Sequence, residues 1–204
     1  MSVARLAFSG VKRRFGRLAV LAGVDGEASS GGVLAVRGAN GSGKSTLLRC
    51  LAGLLAADRG EIVAEENGAS LDTVERRRRV GFLAPDLALY DELSVAENLE
   101  LFARLRGVAP RAGMAVVRRF GLPEGRPWRA LSSGMRQRLR WAFALLHEPR
   151  LLLLDEPFQN LDDDGERVAR ALLDEHLDRG GLAVAASPVA LPLPRVTGEL
   201  QLGG

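Results

Sequence analysis

Three short runs of this chain are almost entirely apolar, and segments with helical periodicity separate them. The runs are residues 33–36, 80–83 and 151–154. Continuous apolar runs of this length are typical of strands that are covered on both faces of a sheet. Helices are expected from 44 to about 55 and over 168–177, and a further strand over 182–186. This alternation predicts an α/β fold with a mainly parallel sheet.

Two other regions depart from this alternation. Residues 3–8 and 18–24 predict short strands around a turn at 12–16, and 61–64 predicts another strand. Together they indicate an N-terminal antiparallel β subdomain. Between about 86 and 146 the apolar residues recur at helical spacing, and prolines and glycines divide the stretch into separate helices. We therefore predict an inserted α-helical subdomain, within a single domain that covers residues 1–204.

The composition excludes several classes of protein. No apolar run approaches the roughly 20 residues that a membrane-spanning helix needs, and the first residues lack the apolar stretch of a signal peptide. The single cysteine, Cys50, cannot form an internal disulfide. It lies in an apolar helical run, where a small core residue is expected. These features predict a cytosolic protein.

The charge pattern contains one cluster, four consecutive arginines at 76–79, in a chain with a formal net charge of +3. A nucleic-acid site usually combines basic and aromatic side chains, and aromatic residues make up only 5% of this chain. We expect the arginines to form a solvated helix face or a subunit rim. No nucleic-acid partner is expected.

A glycine-rich loop follows the apolar run at 33–36. Its residues match G-x-x-x-x-G-K-[ST] at every position, and they are Gly38, Ala39, Asn40, Gly41, Ser42, Gly43, Lys44 and Ser45, with Thr46 next in the chain. Glycine lets the backbone turn its N–H groups toward phosphate, and the following helix adds partial positive charge. Lys44 suits the β- and γ-phosphates, and the Ser45 hydroxyl suits Mg²⁺. The loop predicts ATP with Mg²⁺ as its ligand; the alternative is a chance glycine-rich turn.

Two carboxylates, Asp155 and Glu156, follow the apolar run at 151–154. A strand in this position delivers them to the carboxyl edge of the sheet, where the glycine-rich loop also opens. Asp155 is suited to hold Mg²⁺ through water, and Glu156 is suited to orient the attacking water as a base. Taken alone, the pair is equally well explained as a turn at the end of a strand.

A third segment, Leu131-Ser132-Ser133-Gly134-Met135, precedes a helix shortly before the acidic strand. With the other two motifs it resembles the signature L-S-G-G-Q of ABC-transporter ATPases, although Ser133 replaces the first glycine and Met135 the glutamine. The resemblance covers nearly the whole chain and implies a P-loop NTPase core that pairs head to tail with a second ABC ATP-binding subunit. Ser132 and Gly134 then face the partner's nucleotide. By itself the segment is a capped loop.

The resemblance implies three further assignments. Phe15 lies where the family has an aromatic side chain that stacks on adenine, although a lone phenylalanine is usually a core residue. Asp162, in the segment 160–162, resembles the D-loop that contacts the partner subunit. Residues 89–99 resemble the segment where these ATPases contact their transmembrane permease subunits.

Two positions depart from the family pattern. Pro85 follows the run at 80–83, where the family has a glutamine that contacts Mg²⁺ and water. Pro188 follows the strand at 182–186, where the family has a histidine that contacts the γ-phosphate. Loss of one transition-state donor typically lowers the rate by about 10²–10³. The neighbouring Asp86 or Ser187 is a possible substitute, with Ser187 favoured.

The resemblance implies the ATP-hydrolysing energy subunit of an ABC membrane transporter, peripheral on the inner face of the cell membrane. The short chain is more similar to exporter ATPases, including the haem-exporter type of cytochrome c maturation. One alternative is a degenerate, weakly hydrolysing cassette that acts as a regulatory or heterodimer partner. Another is an ABC ATPase of nucleic acid or ribosomes, but those commonly carry two cassettes or a long coiled coil.

Overall fold

The computed structural model describes residues 4–203, which form two β-sheets and six α-helices. The strands are β1 (Ala4–Phe15), β2 (Leu18–Ser29), β3 (Val33–Arg37), β4 (Arg59–Glu66), β5 (Ala69–Leu71), β6 (Val80–Leu83), β7 (Leu151–Asp155), β8 (Leu182–Ser187) and β9 (Val196–Gln201). The helices are α1 (Lys44–Leu51), α2 (Thr73–Arg79), α3 (Val95–Arg106), α4 (Arg111–Arg119), α5 (Ser133–Ala144) and α6 (Asp163–Asp178). Val3, the first residue of the first predicted strand, lies outside the described residues.

The larger sheet is parallel throughout, with the strand order β6-β7-β8-β3-β9. Alternate residues of β7 enter different cores: Leu152 and Leu154 pack with the helical region, and Leu151 and Leu153 pack on the side of α1. This two-sided burial explains the continuous apolar runs and confirms the predicted parallel sheet. Strand β9 was missed because it lies at the sheet edge and most of its residues are exposed.

The smaller sheet is antiparallel, with the order β2-β1-β4-β5, and confirms the predicted β subdomain. The predicted turn at 12–16 was wrong in its bounds. Strand β1 continues to Phe15, which pairs with Leu18, and the turn is at residues 16 and 17. The backbone pairing of β1 continues past Lys12 across local register shifts. The charged side chains in this part of β1 are mostly exposed, so the sequence did not indicate a strand there.

The helices also differ in detail from the predictions. Helix α1 ends at Leu51 rather than near 55, and Gly53 then adopts a left-handed conformation with φ of 73°. Helix α2 contains the arginine run 76–79, which was expected on a helix face or a subunit rim, but its bounds were not predicted, although Asp72 closes a capping box at its start. Arg76, expected on a solvated face, is buried and donates to the Ile62 carbonyl. Cys50 is buried, as predicted.

The inserted helical region, α3 to α5, lies between β6 and β7 in the chain, and its predicted helical character is confirmed. Leu99, Val117 and Trp141, one from each helix, belong to the same buried cluster. Trp141 also stacks on Phe158, just beyond β7, with ring centroids 6.5 Å apart. This packing fixes the signature helix against the acidic strand. Within the described residues, no helix is long and apolar enough to cross a membrane.

Candidate functional site

The glycine-rich loop connects β3 directly to α1 at the carboxyl edge of the parallel sheet. Gly43 immediately precedes α1 with a φ of 98°, a conformation that side chains with a Cβ rarely adopt. A Cβ at this position would lie 2.8 Å from the Val20 carbonyl oxygen, in contact with β2. Glycine is therefore required here for two reasons, and it lets the loop close against the antiparallel sheet.

The Lys44 ammonium is folded into the loop. The residue is buried, and Nζ donates to the carbonyl oxygens of Gly38 at 2.7 Å and Ala39 at 2.9 Å. These carbonyls compensate for the removal of a positive charge from water. An anion in the loop therefore meets a cation that is already positioned.

The loop opens into a cavity of about 300 Å³. Six predicted loop residues and the predicted base line it together with Val20: Asn40, Gly41, Gly43, Lys44, Ser45, Thr46 and Glu156. The other predicted loop residues, Gly38, Ala39 and Ser42, belong to the same turn but do not line the cavity. The fold thus brings the loop and the acidic strand end, which are far apart in the chain, to one concave surface.

Asp155 is the residue before Glu156, at the end of β7. The residue is 2% exposed, and its Oδ1 atom has no hydrogen-bond partner within the described residues. Burial raises the pKa of its carboxyl, and the hydrogen bond from the Ser45 hydroxyl opposes that shift. Mg²⁺ prefers hard oxygen ligands, so this buried carboxylate oxygen and the neighbouring Ser45 hydroxyl suit the ion. The described residues contain no cluster of three or more His, Cys, Asp or Glu side chains that could hold a metal alone.

Glu156 adopts an unusual backbone conformation, with a φ of 49° in the left-handed region. Its N–H donates to the Ala186 carbonyl oxygen at 2.9 Å, which ties it to β8. Its own carbonyl oxygen accepts from Nε2 of Gln137 at 3.0 Å. Non-glycine residues in this region are strained and persist only where the surroundings hold them. The hydrogen bonds hold Glu156 at the cavity wall.

Gln137 is a residue of this site that the sequence analysis missed. It is fully buried in α5, and Nε2 also donates to the Pro157 carbonyl oxygen at 3.0 Å. Trp141, one helical turn later, donates from Nε1 to the same oxygen at 2.9 Å. The sequence did contain a signal for Gln137: it is a polar side chain four residues before a tryptophan, so the two lie on the same face of a helix. An amide there needs buried carbonyl partners, which the strand end supplies.

The signature segment does not reach the cavity of its own chain. Ser132 caps α5, where its hydroxyl accepts from the Met135 N–H at 3.2 Å, and Ser132 and Ser133 are exposed. Gly134 approaches the segment after β7 so closely that a Cβ would lie 2.7 Å from the Asn160 carbonyl oxygen. The structure therefore separates this segment from the phosphate-binding loop of the same chain.

Phe15 and Asp162 also lie outside the cavity lining. Phe15 is 49% exposed at the end of β1, and the Arg13 guanidinium lies 4.9 Å from the centre of its ring. Asp162 caps α6 by accepting from the Gly165 N–H at 2.8 Å and from Arg138 at 2.6 Å. Those hydrogen bonds lower the pKa of its carboxyl. The structure thus gives Asp162 a capping role within the chain.

The two proline positions have different surroundings. Pro85 is half-buried just beyond β6, and Asp86 beside it pairs with Arg49 at 2.6 Å. Pro188 is exposed just beyond β8. The preceding Ser187 is buried, and its hydroxyl accepts from the Val189 N–H at 3.1 Å.

A parallel sheet with a glycine-rich loop between β3 and α1, and an acidic strand end beside it, is the arrangement of a P-loop NTPase. Residues 21–159 match the protein family described as ABC transporter. The chain therefore belongs to the ABC transporter family, as its motifs predict.

The relatives of the chain include exporter and importer subunits. It is 40% identical over 192 residues to the cytochrome c biogenesis ATP-binding export protein CcmA of Cupriavidus necator, covering 92% of this chain and 84% of that protein. It is 39% identical over 183 residues to the sulfate/thiosulfate import ATP-binding protein CysA of Xylella fastidiosa. That match covers 84% of this chain but 52% of the relative, so the chain spans about half its length.

A solved structure is similar over most of the fold. It is described as the structure of the ATP binding subunit of an ABC transporter, with a TM-score of 0.80 at 27% identity, covering 90% of this chain and 79% of that one. These similarities confirm the predicted fold class and the predicted resemblance to ATP-binding subunits, including those of the cytochrome c biogenesis type.

Proposed function

We propose that this chain is the ATP-binding and ATP-hydrolysing energy subunit of an ABC membrane transporter that works as an exporter. The observation that carries the proposal is the cavity that joins Lys44, Ser45 and Thr46 to Glu156, with the buried, unpartnered Asp155 oxygen beside it. The first relative named above, an export protein, is matched along most of its length, which favours export over import.

The phosphate groups of ATP bind in the loop. The N–H groups around Gly41 and Gly43 and the amino end of α1 supply positive potential, and Lys44 exchanges its loop carbonyls for phosphate oxygens. Phe15 supplies an exposed ring for adenine, with the Arg13 cation next to it.

Ser45 and Asp155 would hold Mg²⁺, Ser45 through its hydroxyl and Asp155 through the oxygen that has no partner among the described residues. Bound there, Mg²⁺ would supply neutralisation of charge on the phosphate oxygens. Glu156 orients the attacking water and accepts its proton. Gln137 keeps Glu156 in place. It donates to the carbonyl oxygen of this strained residue, while the Glu156 N–H donates to Ala186.

A second ABC ATP-binding subunit completes the site. Ser132, Ser133 and Gly134 are remote from the cavity of their own chain, so they are free to contact the nucleotide of a partner in a head-to-tail pair. Permease subunits contact residues 89–99, and they place the chain at the inner face of the membrane. They also select the substrate. We also propose that residues 1–204 form a single ABC ATP-binding domain.

The alternative is a degenerate cassette that binds ATP but hydrolyses it weakly and serves as a regulatory or heterodimer partner. Pro85 and Pro188 favour it, because neither side chain can donate a hydrogen bond to the transition state.

The chain offers a matched pair of variants that tests nucleotide binding, since Lys12 and Lys44 are its only lysines. Lys44→Ala removes the cation inside the loop, whereas Lys12→Ala removes one from an exposed strand position. Titration calorimetry with MgATP should show affinity reduced by about a hundredfold or more for Lys44→Ala, as for a lost charge-assisted contact. The Lys12→Ala variant should bind like the parent. Equal affinities for both variants would refute the proposed site.

A further inference from the structure

The loop after β6 leaves the sheet beside the proposed magnesium site. Strands β6 and β7 are parallel, and Leu83 is level with Leu154 at the end of their pairing. Ala84, the first residue after β6, therefore follows this level on one strand, and Asp155, the last residue of β7, follows it on the other. Asp86 follows two residues later, and it is the first charged side chain in the loop.

An ion pair connects this loop to the phosphate-binding helix. Arg49 lies four residues after Ser45, so the two share one face of α1. The Arg49 guanidinium binds the Asp86 carboxylate at 2.6 Å. The ion pair therefore holds the Asp86 carboxylate against the same face of α1 that carries Ser45, one helical turn away from the proposed metal ligand.

We propose that Asp86 is the second carboxylate of the magnesium site, where it replaces the amide side chain that is absent at Pro85. This inference rests on the proposed function. Arg49 holds Asp86 until the metal–nucleotide complex binds, and Asp86 then turns toward the ion or one of its bound waters.

The exchange of partners is energetically easy. The Asp86 side chain is 69% exposed and that of Arg49 is 34% exposed. Ion pairs in such positions contribute little to stability, because water screens them. A divalent cation is a larger local charge, and carboxylate oxygens are among its preferred ligands.

The test measures metal affinity directly. Electron paramagnetic resonance with Mn²⁺, in the presence of a non-hydrolysable ATP analogue, would compare the parent with Asp86→Asn. We expect the Mn²⁺ dissociation constant of Asp86→Asn to rise by about tenfold or more. Its affinity for the analogue in the presence of a chelator should match that of the parent.

Two controls separate the charge of Asp86 from its structural contact. Arg49→Gln breaks the same ion pair but keeps the carboxylate and removes a nearby cation, so it should bind Mn²⁺ as tightly as the parent or more tightly. Glu175→Gln removes a carboxylate from another exposed ion pair, with Arg119 at 2.7 Å, and should leave the Mn²⁺ affinity unchanged.

The outcomes are distinct. An Asp86→Asn variant that binds Mn²⁺ like the parent overturns the inference, and so does an Arg49→Gln variant that is weakened to the same extent. If the parent binds neither the analogue nor Mn²⁺ with it, the proposed function itself fails.

Discussion

The loops after β6 and β8 both carry a proline where the family has a polar side chain, but the residues beside the prolines differ. After β6, Asp86 is exposed and paired with Arg49 of the phosphate-binding helix. After β8, Ser187 is buried, and its hydroxyl oxygen accepts from the Val189 N–H. One loop thus keeps an exposed charged group that can change partners, and the other keeps a buried hydroxyl.

The difference shows that replacing a polar residue by proline has unequal consequences at the two loops. In the proposed mechanism the loop after β6 borders the metal side of the site, where Asp86 offers an exposed carboxylate. The loop after β8 would border the γ-phosphate side, where Ser187 offers only a buried hydroxyl. We therefore expect ATP binding to be retained and hydrolysis to be slow, mainly because of Pro188.

The largest effect on hydrolysis should come from substituting Glu156, the proposed base. Glu156→Gln keeps the shape of the side chain but removes the base, so steady-state ATP hydrolysis should fall by about 10²–10⁴. ATP should still bind, and an ATP-bound dimer should accumulate. Glu148→Gln is the matched control, since Glu148 shares the φ of 49° but lies elsewhere. Unchanged hydrolysis by Glu156→Gln would remove this residue from the mechanism.

The next effect concerns the loop after β8. Pro188→His restores a donor on the γ-phosphate side, so turnover should rise by about tenfold to a hundredfold. Pro192→His is the control, since it places a histidine at another exposed proline nearby. Ser187→Ala should leave parental turnover nearly unchanged. Fast parental turnover that collapses in Ser187→Ala would show that Ser187 already fills the role.

Strands β6 and β8 each have a histidine beside their first residues. Protonation of these histidines at acid pH should lower the stability of the fold. His147 lies beside the start of β6 with its Nε2 atom 3.3 Å from the Arg106 guanidinium, and His176 contacts the Leu182 carbonyl oxygen at the start of β8. Burial lowers the pKa of each imidazole to about 4. The unfolded chain binds protons below its pKa of about 6.5, whereas the native chain does so only near 4.

Stability is therefore retained above about pH 6.5 and is lost as the pH falls toward 4. Between pH 7 and pH 5 the free energy of unfolding should fall by roughly 2 kcal/mol for each histidine. Urea titrations of the parent, His147→Leu and His176→Leu measure this loss. Each substitution should remove about half of the shared pH dependence. A pH dependence that neither substitution changes would contradict the assignment.

The smallest effect should come from Pro85. While Asp86 is present, Pro85→Gln should change turnover by less than about threefold, because losses within one unit are not additive. In an Asp86→Asn background the same substitution should raise turnover more. A double-mutant cycle on hydrolysis rates measures this coupling. Independent effects of the two substitutions would mean that Asp86 does not replace the missing amide.

The sequence was most informative where one local pattern determines a structure. The glycine-rich loop and the run at 151–154 are contiguous, and their strand positions in the parallel sheet are confirmed. Strand β9 was missed, and the bounds of helix α2 were not predicted, because their apolar signals are weak and their positions depend on contacts with distant segments. Gln137 was missed for a related reason: its partners, the carbonyls of Glu156 and Pro157, lie 19 and 20 residues away.

The candidate site shows the same limit. The motif predicted which loop residues would gather, and the structure brings Lys44–Thr46 to one cavity with Glu156. It did not predict that Asp162 would be engaged as a helix cap, nor that Asp86 would meet Arg49. Both contacts depend on how helices are placed against loops, which a single sequence does not specify.

The most direct measurement combines MgATP affinity by calorimetry and steady-state turnover for two chains, the parent and Pro85→Gln/Pro188→His. We predict dissociation constants that agree within about twofold, since phosphate contacts are unchanged. Turnover of the double variant should be higher by about 10- to 300-fold, equivalent to roughly 1–3 kcal/mol of transition-state stabilisation. Equal turnover of the two chains would contradict the conclusion that the prolines slow hydrolysis while leaving ATP binding intact.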